Sequence, residues 1–219
     1  MSRPEKVIGW SVWVGVGLIA ATLTLALVLY KLKSELAARP PQLPVICSVP
    51  AFALTNQLGQ PVTLETLKGR AWVADIIFTR CAGPCPVMTR QMRELQDGLP
   101  SDSRARLITL STDPEYDTAP VLKAYGDKFG AKAERWSFLT GPPREVASLA
   151  IDGLKLTAIA KKPEERTAPA DLFVHSTIFV VVDKAGRLRG AFETQGEHVN
   201  WPDMRGKILA SVKELENEP

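Results

Sequence analysis

Three features of the 219-residue sequence predict an α/β domain carried behind a single membrane-crossing helix. A long uncharged run opens the chain. Two nearly continuous apolar, strand-forming runs follow, with helix-period sequence between them. A third apolar run lies nearer the C-terminus and is turned back by a glycine. With 45% hydrophobic and 23% charged residues, 15 Gly and 17 Pro, the composition suits a folded protein and excludes a disordered or collagen-like one. The formal net charge is +3, and Arg3, Lys6, Lys31, Lys33 and Arg39 against Glu5 and Glu35 account for all of it. The remaining chain is neutral, so a nucleic-acid partner is set aside.

The first element is the uncharged run at 7–30, preceded by a six-residue tail at 1–6. As a helix its 24 residues rise about 36 Å, enough to cross a hydrocarbon core of about 30 Å. The alternative is a cleaved signal peptide, whose apolar stretch is normally about 7–15 residues and ends in small residues. This run is longer, continues into Lys31-Leu32-Lys33, and carries Trp10, Trp13 and Tyr30 near its ends. An uncleaved transmembrane anchor is therefore expected. Six preceding residues leave no room for an Arg-rich mitochondrial transit peptide. The expectation is a bacterial inner membrane. Basic residues flank both ends and do not orient the span; the paired cysteines described below favour a periplasmic position for the folded part. Cys47 follows Ile46, where a lipoprotein signal needs a small residue, and reads as an ordinary thiol.

Residues 31–50 form a proline-rich linker, stiff and extended through Pro40, Pro41 and Pro44, and the folded domain is expected to run over 51–219. Short strands at 51–55 and 62–64 flank a turn-rich connection at 56–60, giving an N-terminal hairpin. Strands covered on both faces are expected at 71–78 and 106–111. Between them Val87, Met88, Met92 and Leu95 fall at helical spacing. A helix over 119–129, a short strand at 136–139 and a helix from Pro143 follow. The stretch 161–171 lacks large apolar residues and is expected as a solvated, mobile loop. The longest strand signal, 172–183, turns through Lys184-Ala185-Gly186 into 188–192, and a final helix starts near Trp201-Pro202. Right-handed crossovers place the first strands in parallel with the later hairpin at one edge. That order describes a thioredoxin-like fold with an N-terminal hairpin extension.

Cys81 and Cys85 stand between a buried strand and a helix, in Phe78-Thr79-Arg80-Cys81-Ala82-Gly83-Pro84-Cys85-Pro86. A thiol at a helix N-terminus meets the positive end of the dipole and free N–H groups, which favour thiolate. Pro86 suits the first helical turn. Three intervening residues allow a disulfide or shared coordination of one ion; two inert buried cysteines are the alternative. His175 sits in an apolar strand, either as a satisfied core residue or as a ligand, and His198 reads as a loop residue. Met88 and Met92 are expected to pack rather than ligate. Structural zinc normally takes four protein ligands. Two thiolates and an imidazole suit copper better, as Cu(I) through the soft sulfurs or Cu(II) through the mixed set.

These residues resemble the Sco/SenC family. The resemblance lies in Leu43-Pro44 through Val49-Pro50, in Val62-Thr63-Leu64-Glu65-Thr66-Leu67-Lys68-Gly69, and in Trp72-Val73-Ala74-Asp75 leading to the cysteines. It continues in Ser111-Thr112-Asp113-Pro114-Glu115-Tyr116-Asp117-Thr118 and in His175-Ser176-Thr177 followed by a strand and Asp183. It covers essentially the whole domain after the anchor. The resemblance implies a membrane-tethered thioredoxin fold that binds copper through Cys81, Cys85 and His175. It also implies a role in assembling the dinuclear copper centre of cytochrome c oxidase, with that oxidase's copper-bearing subunit or another copper chaperone as partner. Some members are assigned thiol-disulfide reductase activity. Two positions depart from the pattern: Ala82 stands where many members have proline, and Val174 where many have an aspartate that would orient the imidazole.

Two functions thus remain, a copper-binding assembly factor and a thiol-disulfide reductase in which Cys81 and Cys85 form the catalytic redox pair. Only the first needs His175. A peroxiredoxin-like enzyme fits worse, because Thr79 lies two residues before Cys81 where that family places its threonine three before.

Overall fold

The computed structural model describes residues 5–38, 43–162, 164 and 173–218. The chain divides into one unit ending at Gln42 and another beginning at Leu43. In the first, α1 (Glu5–Ala38) contains a stretch, Val12–Lys33, long and apolar enough to cross a membrane, none of it buried. The helix runs past Tyr30, where the linker was expected, because no proline or glycine interrupts 31–38. Residues 39–42 of that linker lie outside the described residues.

The second unit contains β1 (Cys47–Ser48), β2 (Ala53–Asn56), β3 (Pro61–Thr63), α2 (Leu64–Leu67), β4 (Trp72–Ile77), α3 (Cys85–Gly98) and β5 (Arg106–Ser111). It continues through α4 (Ala119–Lys128), β6 (Trp136–Thr140), α5 (Pro143–Ser148) with a π-helical turn at Leu149–Gly153, and β7 (Ala158–Ala160). The last elements are β8 (Phe173–His175), β9 (Ile178–Val182), β10 (Arg187–Glu193) and α6 (Trp201–Asn217). Among the described residues, eight strands form one mixed sheet in the order β1-β10-β9-β4-β5-β6-β2-β3, and β7 pairs with β8 apart from it.

Every residue of β4 is buried, as its near-continuous apolar sequence requires. Its pleat sends Trp72, Ala74 and Ile76 into one core with Leu54, Ile108 and Leu149. Val73 and Ile77 enter the other core, with Met88, Met92 and Ile208. β4, β5 and β6 are parallel, and β9 runs antiparallel to β4 with Trp72 opposite Val182. The loops leaving β4, β5 and β6 therefore emerge at the sheet end where β9 begins. The N-terminal hairpin forms as expected between β2 and β3. Leu64 leaves the strand and opens α2, because Thr63 and Thr66 cap it reciprocally (Thr66 N to Thr63 Oγ1 3.2 Å, Thr63 N to Thr66 Oγ1 3.0 Å). Gly186 turns β9 into β10 at φ +78°, a conformation that a Cβ would strain.

Three expectations are corrected. Residues 172–183 are not one strand: Ser176 N donates to Thr157 O at 3.0 Å, while Thr177 O accepts from Thr194 N at 2.9 Å. The chain exchanges ladder partners within two residues, so His175 ends a separate ribbon. The later hairpin is not at the sheet edge, since β1 covers β10 with Cys47 opposite Leu188. The folded unit accordingly begins before Pro50. Most of the loop expected at 161–171 lies outside the described residues.

Arg189, only 4% exposed, holds the start and finish of this unit together. Its guanidinium donates to Glu218 Oε2 and Oε1 at 2.6 and 2.7 Å, to Asp183 Oδ2 at 2.9 Å, and through Nε to Leu43 O at 3.0 Å. Leu43 N in turn donates to Glu214 Oε1 at 3.0 Å. Burial alone would lift the Asp183 carboxyl, but the Arg187 N–H and the Arg189 and Arg187 guanidiniums outweigh it and hold it below the usual range. Its stabilising contribution is therefore complete above its unfolded pKa of about 3.9 and lost as pH falls further. Arg189→Ala should lower unfolding free energy at neutral pH by about 3 kcal/mol in a urea titration. That deficit should shrink below about pH 4 as Asp183 takes up a proton in the unfolded state and then the folded state.

Candidate functional site

β4 delivers the chain into Phe78-Thr79-Arg80, where Cys81 N bonds back to Phe78 O at 3.2 Å, and α3 opens at Cys85. Pro84 and Pro86 shape this start, with Val87 N and Met88 N both donating to Pro84 O at 3.0 Å. Cys81 is half-buried and Cys85 fully buried; both are thiols outside any disulfide. Their sulfurs lie in hydrogen-bonding contact with one another. The helix start was expected to favour thiolate at this pair. At Cys85 burial wins: it pushes the thiol far above its ordinary range, Cys81 adds to the effect, and a backbone contact from Phe78 offsets only part.

The loop before Cys81 is fastened to the β5–α4 connection by a buried carboxylate. Asp117 accepts from Thr79 N at 3.1 Å, from Ser111 Oγ at 2.5 Å, and from Thr79 Oγ1. Burial pushes the Asp117 carboxyl up, against the pull of the Ser111 and Thr79 hydrogen bonds. Outside this knot Arg80 pairs with Asp113 Oδ2 at 2.5 Å and lies 4.1 Å over the Tyr116 ring. A second buried carboxylate, Asp75 of β4, accepts from Thr109 Oγ1 at 2.6 Å, and Trp136 Nε1 donates to the same hydroxyl at 2.9 Å. Sequence reasoning missed these roles. Thr79 was weighed only as a peroxiredoxin threonine, and Asp75 passed as part of an apolar strand.

His175 pairs with Ala158 at the end of β8, two residues after which the chain enters β9. Because β9 is antiparallel to β4, the segment preceding β9 lies at the sheet end where β4 releases the cysteine loop. Two side-chain amides bridge the same region. Gln91 of α3 donates to Thr194 O at 2.9 Å, and Thr194 N and Oγ1 donate to Thr177 O. Gln195 donates to Pro84 O at 3.1 Å. Backbone topology thus brings the three expected ligand positions to one end of the sheet. The His175 side chain lies outside the described part, and among the described side chains no cluster of three His, Cys, Asp or Glu forms. His198 is exposed in a turn, and Met88 and Met92 are buried in the core, as their spacing implied.

Residues 46–209, nearly the whole folded unit, match the sequence model of SCO1/SenC. The chain belongs to the SCO1/SenC family. Within it, the SCO1 protein homolog of Bacillus subtilis (strain 168) is 37% identical over 147 residues, 66% of this chain and 73% of that protein. A Stutzerimonas stutzeri protein whose name refers to copper binding is 31% identical over 145 residues, 65% of this chain and 68% of that one. Among solved structures, BsSco is described as having a disulfide switch and as a member of the Sco family of cytochrome c oxidase assembly proteins. It is 31% identical, with a TM-score of 0.66 over 82% of this chain and 100% of that one. The SCO1/SenC fold is thus shared across the folded unit, including its thioredoxin-like sheet.

The unequal burial of the thiols sets an order of reactivity. Under brief treatment of the reduced protein with iodoacetamide, peptide mass spectrometry should find label on Cys81 before Cys85, which is labelled only after unfolding. Asp117→Ala leaves the Thr79 N–H and two hydroxyls without their acceptor. It should cost about 2 kcal/mol of stability and quicken hydrogen exchange of the Thr79 amide.

Proposed function

We propose that this chain binds copper as cargo through Cys81, Cys85 and His175 and assists assembly of the copper centre of cytochrome c oxidase. In this reading α1 is a transmembrane anchor in a bacterial inner membrane and the folded unit faces the periplasm. The copper-bearing oxidase subunit, or a second copper chaperone, is the partner. The observation that carries the reading is the meeting of the Cys81–Cys85 loop and the His175 segment at one end of the sheet, set by the antiparallel β4–β9 pairing. The donor chemistry fits: two soft sulfurs in contact suit Cu(I), and an added imidazole suits Cu(II). The name of the Stutzerimonas stutzeri relative supports copper, and the description of BsSco supports oxidase assembly.

Each side chain has a separable task. Cys81, the more accessible sulfur, makes first contact with incoming metal. Cys85 closes the chelate from its buried position at the helix start, releasing its proton as it does so. His175 supplies the one nitrogen. Asp117 holds Thr79 and Asp113 holds Arg80, so the loop does not have to be ordered when metal arrives.

A second reading, thiol-disulfide reduction, is favoured by the sulfur–sulfur contact and the unequal burial of the pair. Cys81 thiolate would attack a partner disulfide, forming a mixed disulfide and releasing one partner thiolate. Cys85 would then displace the second partner sulfur as the Cys81–Cys85 disulfide forms, leaving the partner reduced and this pair oxidised. His175 has no part in those steps.

His175→Ala separates the two. Cu(II) retention, followed by absorbance of the loaded protein, should fall sharply, whereas Cu(I) binding to the thiolates persists. Oxidase assembly in cells should fail while the Cys81–Cys85 pair still oxidises and reduces. Unimpaired assembly would favour the reductase.

A further inference from the structure

The sheet end opposite the cysteines is lined with arginine. Arg70 precedes β4, Arg104 and Arg106 stand at the start of β5, and Arg135 immediately precedes β6. Because these three strands are parallel, all four residues fall at one end of the sheet. Arg104 is exposed and the others are half-buried, and none of the four joins a salt bridge among the described residues. Their charges feel one another. After burial, the positive charges of Arg70, Arg135 and Arg104 are the main influences lowering the Arg106 pKa, and Glu134 opposes them. Nearby, Glu216 is already occupied by Ser103 Oγ and by the Arg104 and Ala105 N–H groups.

The chain joins the folded unit at this same end. Leu43 is held by Arg189 and Glu214, and Arg189 also binds Asp183, next after the residue of β9 that faces Trp72 at the start of β4. Leu43 comes ten residues after Lys33, the last residue of the apolar stretch. Ten residues reach about 35 Å even when fully extended. A membrane holding that stretch is therefore tethered to this unit by at most that length.

We propose that the end formed by Arg70, Arg104, Arg106 and Arg135 docks on anionic phospholipid headgroups and turns the Cys81–Cys85 loop away from the bilayer. This rests on reading α1 as a membrane anchor. Arginine forks bind phosphate in two-point contacts. An anionic surface attracts such groups within about one Debye length, roughly 8–10 Å at moderate salt. The six residues of β4 separate the arginine end from the cysteine loop by about 20 Å. Docking would thereby fix which face of the domain meets a partner.

The test uses the full chain in nanodiscs of phosphatidylcholine alone and in discs containing phosphatidylglycerol, compared by hydrogen exchange. In anionic discs, amides of the loop 100–105 should exchange more slowly, by roughly fivefold. Amides around Cys81 should not change between the two compositions. The slowing should vanish in 0.5 M salt (a solution condition of about 4 Å Debye length) and in the variant Arg70→Gln/Arg104→Gln, which leaves the loop-bracing Arg135 in place. Equal exchange in both compositions, or slowing that survives salt and substitution, would overturn the docking. A chain that does not enter discs at all would overturn the anchor, and with it this proposal.

Discussion

β4 carries hydrogen-bond ladders of opposite sense on its two edges. On one side it runs parallel to β5, and on the other antiparallel to β9. With both faces also buried, its direction and register leave no freedom for slippage, since a one-residue shift would exchange the contents of two cores. Everything chemical in the molecule inherits that constraint. The parallel edge sends the Cys81 loop and the Asp117-bearing connection out at one end. The antiparallel edge brings the segment before β9 to the same place. The site is a consequence of strand direction before it is a consequence of any side chain.

Three buried carboxylates show how differently the fold treats the same group. Asp75 accepts from a hydroxyl that is itself engaged by an indole; Asp117 gathers donors from two loops; Asp183 lies among two guanidiniums and backbone N–H groups. Asp183 has its pKa drawn down, because full positive charges outweigh burial there. At Asp117 neutral donors do not, and burial leaves the carboxyl raised. Asp117 thus fastens the loop before Cys81 through neutral donors alone.

Much of this was legible in the sequence because β4 and β5 announce themselves by composition, and the cysteine spacing falls where a strand meets a helix. The break between β8 and β9 was not, since 172–183 reads as one strand while the partner exchange at Ser176 and Thr177 depends on Thr157 and Thr194, remote in sequence. The place of Cys47 in the sheet was hidden for a similar reason: two residues carry no periodicity, and only Leu188 and Arg187 make them a strand. The raised pKa of Cys85 was hidden as well, because local position argues for thiolate and only the packed core argues against it. The Asp117 knot joins residues up to 38 positions apart, and its members look in sequence like ordinary loop polar groups.

The clasp around Arg189 has a topological meaning. One guanidinium touches both Leu43, at the beginning of the folded unit, and Glu218, near its finish. The two ends of the polypeptide path therefore meet within the span of a single side chain, and the unit is almost a closed ring. A short peptide joining them would complete the ring with little added strain, and the chain could then be reopened at an exposed surface loop instead. Order of elements along the gene and order of elements in space are, for this unit, separable properties.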